Sequence, residues 1–121
     1  MIDFSGKRGL VLGVGNQRSI AWAVVERLHQ QGAELGLTFL RDPKGRFEAN
    51  VRKLGEQTSA TLIAECDVAS DESIEALIKQ VDEQWGELDF LVHSLAYADT
   101  QDLSKPFSET LRDGFNKAME I

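Results

Sequence analysis

Four short apolar runs alternate with four segments of helical periodicity, and this alternation constrains the fold more than any other feature of the chain. The runs are residues 9–12, 35–40, 61–64 and 88–92, the last apolar except for Asp89. Runs this short and this apolar are typical of strands that are buried on both faces. Because the helices between them can cover both faces, the sequence predicts an α/β domain with a parallel sheet.

The first two helical segments have recognisable boundaries. Ser19 is a natural N-cap for the first helix, and Gly32 suits the left-handed position that ends it. A turn at residues 42–45 precedes a charged helix, which we predict over residues 46–54. The apolar stripe of the first helix consists of Ile20, Ala21, Val24, Val25 and Leu28.

The last two helical segments are separated by a predicted loop over residues 97–107. Ser70 or Asp71 begins the third helix, and Gly86 ends it. Ser108 is predicted to cap the last helix. The apolar positions are Ile74, Leu77, Ile78 and Val81 in the third helix and Leu111, Phe115 and Met119 in the last.

Charge and cysteine content argue against several functions and settings. The chain has 13 Lys and Arg against 20 Asp and Glu, a net charge of −7, so we expect no nucleic-acid partner. The longest apolar run is too short to span a membrane, and the charged N-terminus is not that of a secretory signal peptide. The single cysteine, Cys66, favours a reducing cytoplasm. Neither histidine has partners at metal-ligand spacing, so no metal is predicted.

Gly13 and Gly15 lie where the first strand turns into the first helix. Such a turn lets backbone N–H groups approach a pyrophosphate, and the helix N-terminus adds partial positive charge. The common pattern G-x-G-x-x-G needs a third glycine where this chain has Arg18, so a tight turn without a ligand remains open on spacing alone. If the turn binds phosphate, Gly13→Val is expected to block binding and leave the fold largely intact.

A longer string at this turn, GVGNQRSIA from Gly13 to Ala21, carries more information than the glycines alone. Further segments that fit the same pattern follow in order at residues 32–35, 66–68, 93–96, 107–110 and 113–115. Together they resemble the enoyl-acyl-carrier-protein reductases, the divergent short-chain dehydrogenases of bacterial fatty-acid synthesis. The resemblance implies a Rossmann-type doubly wound parallel sheet, of which this chain is the incomplete first half with strand order 3-2-1-4.

The resemblance also implies a role for individual positions. Gly13, Ser19 and Ile20 are expected to hold the cofactor pyrophosphate, with Val14 and Gly15 in the same turn. The remaining cofactor positions are Leu40 near the adenosine ribose, Asp67 and Val68 beside the adenine, Ser94, Leu95 and Ala96 beside the nicotinamide ribose, and Ile121 on the nicotinamide side. Ala98 is expected to contact the acyl substrate.

Several of these residues have ordinary structural interpretations beside the functional one. Asp67 suits the role of capping a turn after a strand. Composition alone favours Ile20 and Leu95 as core residues, and Cys66 as a small buried hydrophobe rather than a reactive thiol.

The family's catalytic tyrosine and lysine come from the second half of its subunit. The one tyrosine here, Tyr97, directly follows the fourth strand, where the family usually has an aromatic residue other than the catalytic acid. We therefore predict no catalytic residue in this chain. Residues 1–121 are interpreted as the N-terminal dinucleotide-binding portion of a single domain, truncated within its last helix. The fourth strand is then expected to form a bare apolar edge.

The residues after the second strand bear on the choice of cofactor. Arg41 would favour the 2′-phosphate of NADPH if it reached the ribose. Strand alternation places Leu40 towards the ribose and Arg41 on the other side, and Asp42 is able to neutralise Arg41. Since the resemblance favours NADH, we expect NADH with NADPH tolerated.

The resemblance implies an enoyl group on acyl-carrier protein as substrate and a homotetramer as the assembly. Residues 65–89 contain nine acids and one base, Lys79. This stretch is most simply a solvated helix with its flanks, and it would repel an acidic carrier protein, so carrier docking is not expected on this face. A non-catalytic nucleotide-binding module is the alternative to an enzyme. A phosphoryl-receiver domain is disfavoured, because the first strand is followed by glycines instead of clustered carboxylates.

Overall fold

Four parallel strands form one sheet in the order β3-β2-β1-β4. In the computed structural model, which describes residues 2–121, the strands are β1 (Arg8–Leu12), β2 (Glu34–Phe39), β3 (Leu62–Glu65) and β4 (Phe90–His93). All three pairings are parallel, with Gly9 opposite Leu35 and Phe90, and Gly36 opposite Leu62. The predicted α/β class, parallel sheet and strand order are confirmed.

Three longer helices cover the sheet and two shorter ones follow β4. They are α1 (Ile20–Gln30), α2 (Arg46–Gln57), α3 (Asp71–Gln84), α4 (Thr100–Leu103) and α5 (Arg112–Glu120). Gly32 has a φ of +89° directly after the C-cap of α1, as predicted for the end of that helix. No helix within residues 2–121 has the length and apolar character needed to cross a membrane.

The core lies in two layers, one on each face of the sheet. On one face, Val11, Leu35 and Leu37 pack with α1 and α2 through side chains such as Val25 and Val51. The other face packs against α3. The residues buried in this second layer are Leu10, Leu12, Leu62, Ala64, Cys66, Leu77, Val81 and Trp85. Helices on both faces explain why the strands are apolar throughout instead of alternating.

The β4 strand lies at the edge of the sheet and pairs with β1 alone. Leu91 faces the same side as its partner Leu10, yet Leu91 is 48% exposed while Leu10 is fully buried. The predicted bare apolar edge is therefore present in the described residues.

The C-terminal segment departs most from the sequence-based prediction. The expected loop over residues 97–107 contains α4, a single helical turn. Ser108 does not cap the last helix, because it lies in a 3₁₀ turn (Phe107–Glu109) closed by hydrogen bonds from Glu109 N to Pro106 O and from Thr110 N to Phe107 O. The N-cap of α5 is Leu111 instead.

The apolar stripe predicted for α3 is narrower than expected. Leu77 and Val81 are buried against the sheet, whereas Ile74 and Ile78 are exposed. The start of α3 agrees with one of the two predicted boundaries, because Ser70 is the N-cap and its side chain accepts a hydrogen bond from Ser73 N.

Candidate functional site

The strand-to-helix turn after β1 lies at the carboxyl edge of the sheet, where all four strands end. Gly13 has a φ of +106°, and a Cβ atom built there would overlap the carbonyl oxygen of Ser94, which follows β4. Only glycine allows β1 and β4 to leave the sheet this close together. The expectation that Gly13→Val leaves the fold largely intact is therefore wrong, because valine would push the two strand ends apart.

Gly15 differs from Gly13 in the space around it. A Cβ atom on Gly15 would meet only the Ser19 hydroxyl, at an ordinary contact distance of 3.6 Å. The backbone of Gly15 therefore tolerates a side chain, and the space that a side chain would take lies on the open side of the turn.

The Ser19 side chain stabilises the turn before α1 and does not cap the helix through a hydrogen bond from an N–H group of α1. Its Oγ accepts hydrogen bonds from Gly15 N at 2.9 Å and Asn16 N at 3.1 Å, and it makes no side-chain bond to an N–H of α1. Ser19 N donates to Asn16 O at 3.1 Å, so this N–H is not free to bind a phosphate. The hydroxyl hydrogen of Ser19 remains able to donate outwards.

The first turn of α1 offers two backbone donors. Trp22 N donates to Ser19 O, but Ile20 N and Ala21 N donate to no backbone carbonyl of residues 2–121. The Ile20 side chain is 80% exposed, so Ile20 is not the core residue that composition favoured. Of these two donors, the Ile20 N–H belongs to a residue that lines a surface cleft, whereas Ala21 is only 1% exposed. The Ile20 N–H, the Ser19 hydroxyl and the positive end of the helix dipole form a cradle suited to a phosphate anion.

Two clefts open beside the cradle, and we name them after the strands they adjoin. The β2 cleft, of about 180 Å³, has mostly apolar walls formed by Gly13, Val14, Gly15, Thr38, Phe39, Leu40, Phe47, Cys66 and Leu95. The β4 cleft, of about 360 Å³, is lined by Gly13, Ser19, Ile20, His93, Ser94, Leu95 and Ala96. Because Gly13 and Leu95 belong to both, the two clefts form one trough across the carboxyl edge.

Most of the predicted site residues line this trough, and four do not. Asp67 forms the turn that its ordinary interpretation predicts, since Ala69 N donates to its Oδ1 at 3.0 Å. Val68 packs half-buried beside the α3 layer. Ala98 and Ile121 are also half-buried and lie in the segment after β4, outside both clefts.

The loop that contains Ala98 is tied to α5 by a charged contact. Lys117 Nζ lies 2.9 Å from Asp99 Oδ1 and 4.9 Å from the centre of the Tyr97 ring. The Tyr97 hydroxyl also donates to Asp99 Oδ1, at 2.9 Å. These bonds lower the pKa of the Asp99 carboxyl, chiefly through Lys117, and raise the pKa of Lys117. They hold both neighbours of Ala98 in place.

Sequence reasoning missed four walls of the β2 cleft, which are Thr38, Phe39, Phe47 and Cys66. Phe47 reaches it from the first turn of α2, whose N–H groups at Arg46 and Phe47 both donate to Asp42, each at 3.1 Å. Phe39 and Cys66 line it from the ends of β2 and β3. Burial, followed by the charge of Asp67, raises the pKa of the Cys66 thiol, which agrees with its interpretation as a small hydrophobe. No local sequence signal marks these walls, because only the strand order brings them together.

The geometry of the turn and trough agrees with a family match over most of the chain. A sequence profile described as enoyl-(acyl carrier protein) reductase matches residues 13–121. The chain belongs to this family. The resemblance drawn from the string at residues 13–21 is thus confirmed for the enoyl-(acyl carrier protein) reductase family.

Relatives in the family give the extent of the similarity. The enoyl-(acyl-carrier-protein) reductase (NADH) FabI of Synechocystis sp. is 46% identical over 121 residues, which is 100% of this chain and 47% of that protein. The crystal structure of the Anaplasma phagocytophilum reductase in complex with NAD has 36% identity and a TM-score of 0.90, covering 98% of this chain and 44% of the other. The Bacillus cereus reductase with NADP⁺ and an indole naphthyridinone has 36% identity and a TM-score of 0.88, covering 99% and 47%. The chain thus spans about half the length of these relatives.

Proposed function

We propose that this chain is the cofactor-binding half of an NADH-dependent reductase of trans-2-enoyl thioesters carried on acyl-carrier protein in fatty-acid elongation. The observation that carries the proposal is the phosphate cradle of Ser19 and the free N–H group of Ile20, which opens directly onto a mostly apolar trough. A dinucleotide needs both features together, an anion site for its pyrophosphate and apolar walls for its rings.

The arrangement of the trough supports a particular orientation of the dinucleotide. The pyrophosphate would lie against Gly13, Ser19 and Ile20, and the adenosine half in the β2 cleft beside Leu40. Asp67 and Val68 directly follow Cys66, a wall of the β2 cleft, so we place them beside the adenine. The nicotinamide half would then enter the β4 cleft along Ser94, Leu95 and Ala96, on the side that we also assign to Ile121.

The bound nicotinamide would supply a hydride to the β-carbon of the enoyl thioester. We assign the backbone at Ala98 to the acyl substrate, because Tyr97 and Asp99 hold that loop through Lys117. The Tyr97 hydroxyl donates to Asp99, which leaves it poorly placed as a general acid. We therefore assign proton transfer to the tyrosine–lysine pair that the resemblance implies for the second half of the subunit.

The proposal includes a setting and partners. The free thiol of Cys66 fits a reducing cytoplasm. The acidic stretch over residues 65–89 disfavours docking of an acidic carrier protein on α3, so we place carrier-protein binding on the β4 side of the trough. We also propose that the complete enzyme is a homotetramer.

A chimera tests the function directly. Residues 1–121 are joined to the second half of the Synechocystis reductase, and oxidation of NADH is followed with a trans-2-enoyl thioester. We expect turnover that disappears in a matched chimera carrying Gly15→Val. A folded chimera that binds NADH without reducing the thioester would support the non-catalytic nucleotide-binding module. A folded chimera that does not bind NADH would contradict both interpretations.

A further inference from the structure

An ion pair is formed by two residues that are each next in the chain to a wall of the β2 cleft. Arg41 follows Leu40, a wall of the cleft, and Glu65 is the last residue of β3. Arg41 Nη2 donates to Glu65 Oε2 at 2.7 Å, and Arg41 Nε donates to the same oxygen at 3.1 Å. The parallel register places Glu65 opposite Phe39, so β2 and β3 deliver the two side chains to one corner of the site.

The neighbouring carboxylate does not share this role. Asp42 was expected to be able to neutralise Arg41, but both of its oxygens accept backbone N–H groups of α2, from Arg46 and Phe47. Within residues 2–121, Glu65 is the carboxylate that forms a salt bridge with Arg41. The charge of Arg41, which follows β2, is therefore paired with a carboxylate that β3 contributes.

We propose that Glu65 sets the cofactor preference of the β2 cleft by excluding a 2′-phosphate from the adenosine ribose. The inference rests on the proposed function, since it requires a dinucleotide in this cleft. Arginine binds a phosphate best with two parallel N–H bonds, and Glu65 occupies two donors of Arg41. Whether a 2′-phosphate displaced Glu65 or used the remaining donors of Arg41, it would lie beside the negative charge of Glu65.

Both side chains are exposed, so substituting them should change ligand binding with little effect on folding. Arg41 is 78% exposed and Glu65 37%, and an ion pair this exposed contributes little to folding. Removing the charge of Glu65 therefore changes the electrostatics of the corner without disturbing the sheet. The amide of glutamine has the same size and releases Arg41 for a stronger anionic partner.

The test compares binding of NADH and NADPH to the parent chain, Glu65→Gln and the double variant Glu65→Gln, Arg41→Met by calorimetry. The pair AMP and adenosine 2′,5′-bisphosphate serves as a second probe, because these two differ only in the 2′-phosphate. We expect Glu65→Gln to tighten NADPH binding about tenfold and the bisphosphate similarly, with NADH and AMP changed less than about twofold. The gain should fall with added salt and disappear in the double variant.

Glu83→Gln is the matched control, since it removes the same charge from an exposed pair with Lys79 on α3, away from the cleft. It should leave the binding of all four ligands unchanged. Unaltered NADPH binding in Glu65→Gln, or a gain that persists without Arg41, would overturn the inference. Normal NADH binding in the same experiment would show that the proposed cofactor site is not what failed. If the parent chain does not bind NADH, the proposed function fails and the inference fails with it.

Discussion

The amino and carboxyl ends of the strands, which we call the amino edge and the carboxyl edge, differ in how their polar groups are paired. At the amino edge, Arg8 Nε donates to Glu34 at 2.8 Å, Arg8 Nη1 donates to the carbonyl of Trp85 at 2.8 Å, and Arg8 N donates to Asp89 at 2.8 Å. Thr61 Oγ1 donates to Glu34 at 2.7 Å and accepts from the Trp85 indole at 3.1 Å. We call these five residues the amino-edge network.

At the carboxyl edge, a backbone donor is left without a partner at the surface. The turn after β1 keeps an N–H group at Ile20 that no backbone carbonyl of residues 2–121 accepts, and the β2 cleft beside it has mostly apolar walls. Since buried or half-buried polar groups normally find partners within the protein, the contrast agrees with a structural role for the amino edge and supports the ligand site that we propose at the carboxyl edge. Three changes would break or sharpen this contrast.

The largest expected effect concerns the two glycines of the carboxyl edge. In Gly15→Val, the backbone tolerates the Cβ atom but the side chain occupies the approach to the cradle, so NADH affinity should fall about 100-fold, or about 2.7 kcal/mol. Thermal unfolding should change little. In Gly13→Val, both affinity and stability should fall, because the Cβ atom meets the carbonyl of Ser94.

Gly15→Ala is the control for this prediction, because a methyl group is small enough to leave the phosphate approach open. Calorimetry with NADH and thermal denaturation measure the two properties separately. Nearly normal NADH affinity in Gly15→Val would mean that the pyrophosphate does not approach this turn.

The second prediction addresses the amino edge. Trp85→Phe removes the indole donor to Thr61 and part of the α3 core layer, so the free energy of unfolding should fall by about 1–2 kcal/mol. NADH affinity should stay unchanged, since Trp85 lies at the opposite end of the strands. Trp22→Phe is the matched control, because Trp22 is buried in the other layer and takes no part in the amino-edge network. Equal losses in urea denaturation for both variants would show that the indole hydrogen bond contributes nothing.

The smallest expected effect is on stability at acidic pH, where two paired carboxylates, Glu34 and Asp99, should behave differently. Hydrogen bonds from Arg8 and then Thr61 lower the pKa of Glu34, and bonds from Lys117 and then Tyr97 lower the pKa of Asp99. A carboxyl whose pKa is lowered by folding stabilises the fold at neutral pH, and that contribution is lost as the pH falls through its folded pKa, which lies below the ordinary value of the group.

Protonation of Glu34 and protonation of Asp99 should affect different parts of the protein. Protonating Glu34 should loosen the amino-edge network and so lower the stability of the whole sheet, whereas protonating Asp99 should release only the tie to α5. Carbon-detected NMR titration of the two carboxyls, with amide exchange of α5, measures both. Lys117→Met is the control and should return the pKa of Asp99 towards its ordinary value. If Asp99 already titrates at that ordinary value in the parent chain, the tie does not form in solution.

The sequence predicted the sheet well because its signals are local. Apolar runs 9–12 and 35–40 need burial on both faces, and Gly32 and Gly86 end helices wherever those helices pack. The string at residues 13–21 located the cradle for the same reason, since the contact between Ser19 and Gly15 spans only four residues.

The remaining features depend on contacts between residues distant in the chain. The pairing of Arg41 with Glu65 follows from β2 and β3 being neighbours, and the overlap of Gly13 with Ser94 follows from β1 meeting β4. Near the C-terminus, Ser108 has the residue type of a helix cap but lies in a 3₁₀ turn that ends before α5 begins. Residue type alone does not reveal which of two adjacent turns a serine joins.

The position of β1 between β2 and β4 also affects the order in which the strands fold. Pairing β1 with β2 joins Gly9 to Leu35, but pairing β1 with β4 joins Gly9 to Phe90. Closing the longer loop costs about 1 kcal/mol more chain entropy, so β4 is expected to dock after the other three strands. Gly13 and Leu95 meet only at that last step, and the trough therefore comes into existence when folding is nearly complete. A dinucleotide that binds the trough should slow unfolding by holding β4 in place, while the rate at which the first three strands assemble stays the same.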